Sequence, residues 1–322
     1  MKKDNTLYLV IPCYKEEEVL HETAKRVKQK MQSLIEMQSI SEKSRVLFVN
    51  DGSSDRTWQI IQALHGQDPL FSGVNLSRNK GHQKALLAGL MVAKQYADMI
   101  ISMDADLQDD INAIDQMVAH YHNGYDVVYG VRSNRDSDTP FKRITAVGFY
   151  RLMQILGVDI IFNHADYRLM SKRAVEALSE FEEVNVFLRG IVPQIGFPFT
   201  TVDYVREKRF AGESKYPLKK MLSFAFDGIT SFSVKPMRMI LHAGALVFFI
   251  SLVILFWSLI QNIMGHTVSG WTSLIGSIWL LGGIQLLCLG VVGEYIGKIY
   301  SETKKRPHYF IESILNQSEE NK

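Results

Sequence analysis

A chain of 322 residues has room for one catalytic domain of about 200 residues and a second, smaller unit. Its net charge of +2, with 22% charged residues, gives no bulk electrostatic case for nucleic-acid binding. The two cysteines, Cys13 and Cys288, lie in separate apolar runs, which excludes a disulfide framework or a cysteine zinc site and fits a reducing compartment.

Met1 to Thr6 is short and polar and lacks the basic-then-apolar pattern of a cleaved leader, so the N-terminal half is expected in the cytoplasm. The runs LYLVIP (7–12), RVLFVND (45–51), FSGVNLS (71–77) and MIISMD (99–104) read as strands. They alternate with helical stretches beginning near Glu16, Ser54, Gly81 and Ile111, which predicts an α/β fold with a mostly parallel, Rossmann-like sheet. Ligands of such sheets bind beyond the carboxyl ends of the strands. Those ends carry Pro12, Tyr14 and Glu16, then Asp51, then Asp104 and Asp106. No GxGxxG follows the first strand and no GxxxxGK[ST] occurs, so dinucleotide and P-loop chemistry lose their main support.

DADLQD (104–109) is the strongest chemical signal. An Asp-x-Asp in a solvated turn means little, but this one follows an apolar strand. Side chains at i and i+2 of an extended segment point the same way, so Asp104 and Asp106 can share one hard cation that keeps positions open for phosphate oxygens. Asp109 and Asp110 are expected to cap the next helix.

Further on, Leu218, Met221, Leu222, Ala225, Phe226 and Ile229 share one helical face, which suits a helix lying on a bilayer or packed on the catalytic domain. Two uncharged runs follow, near 239–260 and 273–292, each close to the roughly 20 residues that cross a ~30 Å hydrocarbon core. The loop between them has no Lys or Arg, whereas Lys235 and Arg238 precede the first run and Lys298, Lys304, Lys305 and Arg306 follow the second. That asymmetry predicts both flanks inside, with Trp257 and Trp271 near the outer headgroups. The expected organisation is a cytoplasmic catalytic domain over 1–210, a basic loop and juxtamembrane amphipathic helix over 211–236, a two-helix transmembrane hairpin over 237–297 and a cytoplasmic tail over 298–322.

VIPCYKEEEVL, FVNDGSSDRT, LSRNKGHQKALLAGL, SMDADLQDD, YGVRSNRD, HADYRLMSK, RFAGESKYPLKK and the tail GEYIGKIYSETKKRPHY span nearly the whole chain. Together they resemble family 2 glycosyltransferases, in particular the polyprenyl-phosphate group that includes bactoprenol glucosyltransferases and dolichol-phosphate mannose synthases. The tail is similar to the bacterial two-span type. The resemblance implies a GT-A fold, a UDP-sugar donor, undecaprenyl phosphate as acceptor, inversion at the anomeric carbon, a homo-oligomer such as a tetramer, and a place in the bacterial cytoplasmic membrane. Position by position, it implies that Pro12, Tyr14, Glu16 and Asp51 hold the nucleoside and that Lys80 to Lys84 form a donor-facing loop, Lys84 included. It places Mg2+ or Mn2+ on Asp104 and Asp106, with Gln108 adding its amide oxygen or a water-mediated contact. Arg132, Arg143, Arg209 and Lys215 would meet the acceptor phosphate. Asp166 is the matching catalytic carboxylate, as base or as an orienting group. A phosphate monoester has its second pKa near about 6, so the acceptor hardly needs a base. The expected reaction moves one hexose, glucose or N-acetylglucosamine, to the lipid phosphate. Alternatives are mannosyl or galactosyl transfer, a processive polysaccharide synthase, whose QxxRW motif is absent, and a non-catalytic membrane adaptor.

Overall fold

The computed structural model describes residues 4–133, 164–184, 186–206 and 270–315, with isolated helical positions between 237 and 260 and a turn at Met264. The chain divides into two units, one of residues 1–151, 159–218 and 306–322, the other of residues 152–158 and 219–305.

The first unit is an eight-stranded sheet. Its strands are β1 (Leu7–Cys13), β2 (Arg45–Asn50), β3 (Phe71–Leu76), β4 (Met99–Ser102), β5 (Val127–Arg132), β6 (His164–Ser171), β7 (Phe199–Tyr204) and β8 (Ile311–Leu315), in the order β7-β5-β6-β4-β1-β2-β3-β8. Among the described strands only β6 and β8 run against their neighbours. The first four strands lie where the apolar runs predict them. Each is buried almost throughout, as a strand covered on both faces must be. Pro12 is tolerated in central β1 because pairing with β4 stops at Val10, so its missing N–H leaves no gap on that side.

Helices α1 (Leu20–Glu36), α2 (Thr57–Gln67), α3 (His82–Ala93), α4 (Ala113–His122), α5 (Lys172–Ser179) and α6 (Leu188–Gln194) complete this unit. In α1 the buried Leu20, Ala24, Val27, Met31 and Leu34 recur at three- and four-residue spacing and form the stripe that packs on the sheet. The core joins this stripe to Leu7, Leu9 and Ile11 of β1, Phe48 of β2 and Ile114 and Met117 of α4. The first four helices begin one to four residues later than the sequence suggests, after short turns that carry functional side chains.

Within the expected C-terminal tail, residues 298–322, Ile311–Leu315 form β8, antiparallel to β3 at the sheet edge. Five residues of weak alternation after a long apolar helix give little local signal, so the pairing is decided by the partner strand.

The second unit contains α7 (Trp271–Thr303), 33 residues long. Within it Leu281–Thr303 is long and apolar enough to cross a membrane. Leu286, Leu289 and Ile296 on this helix are exposed. The described positions of the first expected span are helical, and Leu246, Val253 and Trp257 among them are exposed. The rest of that span and the amphipathic segment lie outside the described residues.

Candidate active site

Two loops after β1 and β2 meet the start of α3. Asp51, buried just past β2, accepts the backbone N–H of Lys80 on Oδ1 at 2.7 Å and that of Gly81 on Oδ2 at 2.9 Å. Burial pushes its carboxyl up against these two bonds. The contact between the loops is close. Gly52 has φ +59°, and a Cβ there would lie 2.5 Å from the main chain of Arg78 and Asn79. Gly81, with φ +89°, turns the chain into α3. Beyond β1, Lys15 donates its backbone N–H to Ser53 Oγ at 3.0 Å and Glu16 donates to Thr57 Oγ1 at 3.0 Å. Tyr14 is left exposed, with the Lys15 ammonium 5.6 Å from its ring centre. Lys84 is partly buried, and burial together with Lys80 pulls its pKa down. Pro12 is buried within β1.

Asp104 and Asp106 follow β4 with half-exposed side chains around a buried Ala105. Asp106 Oδ1 accepts the N–H of Gln108, and Leu107 takes φ +57°, so the segment curls back on itself. Two carboxylates open to solvent fit a hard divalent ion that keeps waters and takes its other ligands from a diphosphate. Among the described residues no group of three or more His, Cys, Asp or Glu side chains is arranged to cage a metal. Gln108 Oε1 accepts from Arg206 Nη2 at 2.5 Å, so one lone pair of the proposed ligand is already engaged.

Asp109 is a correction to its expected capping role. α4 begins at Ala113, and no side-chain oxygen caps its N-terminus. Asp109 is buried and accepts the Tyr204 hydroxyl at 2.6 Å, while Tyr204 in turn accepts from Arg132 Nε at 3.4 Å. Burial, with Asp104 close by, raises Asp109 to about 6. Asp110 bonds the N–H of Asn112 in the turn before the helix. Arg132 ends β5 beside this Asp109–Tyr204 pair, and Arg206 lies next to it with a buried Nε that has no hydrogen-bond partner among the described residues.

Asp166, on β6, is buried at the centre of a charge cluster. Its Oδ1 accepts from Arg168 Nη2 at 2.8 Å and Arg189 Nε at 3.1 Å, and its Oδ2 accepts from Arg189 Nη2 and Gln83 Nε2 at 3.0 Å each. Burial alone would raise this carboxyl, but Arg189, Arg168 and His82 together hold it far below the usual carboxylate range. A carboxylate so stabilised has almost no proton affinity near neutrality, which speaks against its use as a base. Arg168 is itself fully buried and donates to the Leu188 carbonyl at 3.2 Å.

His82 joins the two halves. Its Nε2 lies 3.5 Å from Asp104 Oδ1 and 3.8 Å from Asp166 Oδ2, and Asp51 lies within its electrostatic reach. The site therefore gathers Asp51, Asp104 and Asp166 around one imidazole. His82 and Gln83 fall within the expected donor-facing loop Lys80 to Lys84, although no separate role is expected of either; Arg189 and Arg206 come from elements that only the fold brings near. Arg143, Arg209 and Lys215 lie outside the described residues.

A mostly parallel sheet with acidic groups at the carboxyl ends of β2 and β4 is the arrangement of a GT-A enzyme, the Rossmann-like class that handles nucleotide-linked substrates. The sequence profile of glycosyl transferase family 2 matches residues 8–179, and that of the GtrB C-terminal hairpin matches residues 235–299. The chain belongs to glycosyl transferase family 2 and is a glycosyltransferase. It is 55% identical to the uncharacterized glycosyltransferase YkoT of Bacillus subtilis, over 96% of this chain and 92% of that one. It is 39% identical to the bactoprenol glucosyl transferase of Shigella phage SfX, over 95% of this chain and 98% of that one. The prophage bactoprenol glucosyl transferase homolog of Escherichia coli is 40% identical over 95% of this chain and 98% of its own length. A solved glucosyl-3-phosphoglycerate synthase from Mycobacterium tuberculosis, with Mn2+, UDP-glucose and phosphoglyceric acid, aligns at TM-score 0.47 and 15% identity over 71% of this chain and 79% of that one, too distant to carry weight.

Proposed function

We propose that the protein transfers one hexose, glucose or N-acetylglucosamine, from a UDP-sugar to undecaprenyl phosphate at the cytoplasmic face of a bacterial membrane. The observation that carries this reading is the placement of Asp104 and Asp106 beyond β4, beside an arginine-lined flank and near the Asp51 loops, in a chain whose relatives include bactoprenol glucosyl transferases. In this reading Tyr14, Glu16 and the loops held by Asp51 take the nucleoside, with Lys84 near the donor phosphates. Asp104 and Asp106 hold Mg2+ or Mn2+, which when bound neutralises charge on the diphosphate. Arg132 and Arg206 face the phosphates from the other side, as planar guanidiniums suit phosphate oxygens; Arg143, Arg209 and Lys215 are proposed as further phosphate contacts.

The chemistry is a single displacement. An oxygen of the lipid phosphate attacks the anomeric carbon, forming a new C–O bond as the bond from that carbon to the β-phosphate oxygen breaks and UDP leaves. The configuration inverts. A dianionic phosphate needs no base at neutral pH, so Asp166 serves by fixing Arg189 and the α3 loop rather than by accepting a proton. The membrane hairpin, with both flanks inside, brings the lipid acceptor to a donor supplied from the cytoplasm. A homo-oligomer, a tetramer among the options, belongs to the same proposal.

The test is to incubate membranes carrying the protein with radiolabelled UDP-glucose or UDP-N-acetylglucosamine and undecaprenyl phosphate, then extract lipid. Organic-soluble label that requires added lipid phosphate and disappears with Asp106→Asn supports the reading. Label that appears only in polymer, or none with any UDP-sugar, would reject it.

A further inference from the structure

β8 is the first strand after the long apolar helix, and it pairs with β3 at the edge that borders the Asp51 loops. The pairing is irregular at one place. Asn75 faces Ser313 and Leu76 faces Ile311, which skips Glu312 and leaves it as an extra residue in a bulge. A bulge redirects a side chain at the cost of a ladder bond. Here the redirected side chain meets a polar row. Glu312 Oε2 accepts from Asn75 Nδ2 at 2.8 Å, and Asn75 Oδ1 accepts from Asn50 Nδ2 at 2.7 Å. Asn50 Oδ1 then accepts the Ser53 N–H at 3.3 Å, and Ser53 Oγ accepts the Lys15 N–H at 3.0 Å. The row crosses the amino end of the antiparallel β8 and the carboxyl ends of β3, β2 and β1, and it ends at Lys15, next to Tyr14. The main chain adds a second tie, since Ser77 donates its N–H to the Phe310 carbonyl at 3.0 Å just before the loop that wraps Asp51.

The row has a direction. An ionised carboxylate only accepts, so Glu312 obliges Asn75 to turn its NH2 towards β8 and its oxygen towards Asn50. Asn50 must then give its NH2 to Asn75 and keep its oxygen for the Ser53 N–H. One acidic residue near the C-terminus thereby sets the amide orientation of two asparagines and the position of the 51–53 turn.

We propose that Glu312, through the Asn75–Asn50–Ser53 row, is a positioning residue for the nucleotide half of the donor. This rests on the reading that the Asp51 loops bind a uridine nucleotide. The role is one of direction rather than of charge, and substitutions separate the two. Glu312→Gln keeps a carbonyl acceptor, Glu312→Ala removes it, and Glu312→Lys offers only donors and reverses the row.

The full-length protein in detergent, with Mg2+, is titrated with UDP by calorimetry, and donor kinetics are measured in parallel. We expect Glu312→Ala to weaken UDP binding and raise the donor KM by about three- to fivefold, a modest effect because the bond is solvent-exposed. Glu312→Lys should be worse than Glu312→Ala, and Glu312→Gln should recover most of the loss, with kcat and Tm little changed across the set. Unaltered UDP binding in Glu312→Ala and Glu312→Lys, with wild-type binding intact, would overturn this inference alone. So would a fall in kcat and Tm without a change in donor KM. A wild-type protein that binds no UDP would overturn the donor reading and this inference with it.

Discussion

On the β1–β3 flank of the site the loops are held largely through main-chain groups, with two N–H groups on Asp51 and a Gly52 that admits the Arg78–Asn79 backbone, and the side-chain Asn50–Asn75 row lies beside them. On the β5–β7 flank the site is held by side-chain charges, with Asp166 between Arg168 and Arg189, and Asp109 under Tyr204 and Arg132. The two constructions fail differently. A cradle closed on backbone N–H groups is most sensitive to changes of backbone shape. A buried ion cluster tolerates small shifts but not loss of one partner, because the remaining charge stays desolvated.

Removing a partner from the charged flank should have the largest effect. Asp166→Ala leaves Arg168 buried and Arg189 without its carboxylate, a loss of about 3–5 kcal/mol that a melting curve would read as a large drop in Tm. The pH dependence has a definite sign. Because the folded pKa of Asp166 is depressed, its stabilisation is present above the ordinary carboxylate range and is lost only as pH falls towards the folded value. No limb of the pH–rate profile between about 5 and 8 should belong to Asp166. A wild-type limb in that window that vanishes in Asp166→Asn would restore it as a base.

Asp106→Asn comes next and should separate chemistry from fold. Its half-exposed carboxylate contributes little to folding, so Tm should hold while sugar transfer falls by about a hundred- to thousandfold, roughly 3–4 kcal/mol in the transition state. Transfer that survives both this change and chelation of divalent ions would remove the metal from the account.

Arg132→Ala should cost about ten- to a hundredfold in acceptor use, roughly 1.5–3 kcal/mol, with UDP binding within about threefold of wild type. Arg132→Lys should recover only part, since an ammonium lacks the planar fork. Were donor affinity, acceptor use and Tm to fall together, Arg132 would be a structural partner of Tyr204 and Asp109 instead.

The smallest expected effect tests the cradle. Gly52→Ala forces a Cβ against backbone at a positive φ and should cost about 1–3 kcal/mol, felt mainly as weaker UDP binding. A variant that binds UDP as wild type does would show that the two loops need not pack this closely.

The same contrast explains what could be read without the fold. β1 to β4 and the helices between them are legible because each is a continuous apolar run or stripe broken by a turn, a signal that lies within the segment itself. Asp51, Asp104 and Asp106 are legible for a related reason, since they sit at the ends of those strands. β6 and β8 are not, because an antiparallel partner far along the chain decides their pairing. Arg189 and Arg206 come from a short helix and a strand end that carry no motif of their own, and they acquire meaning only beside Asp166 and Gln108. Asp109 reads locally as a cap because acidic residues favour helix starts, yet Tyr204, almost a hundred residues on, claims its carboxylate. The apolar runs at 239–260 and 273–292 are plain in the sequence, and α7 takes in the second of them.

The most direct test of the account is the mass of the lipid made by the purified protein from a UDP-sugar and undecaprenyl phosphate. The account predicts undecaprenyl phosphate plus one hexose or N-acetylhexosamine residue, released together with UDP, in a monophosphate linkage that carries the inverted anomeric configuration. A product heavier by a sugar phosphate, released together with UMP, would mean attack at phosphorus rather than at carbon and would contradict it.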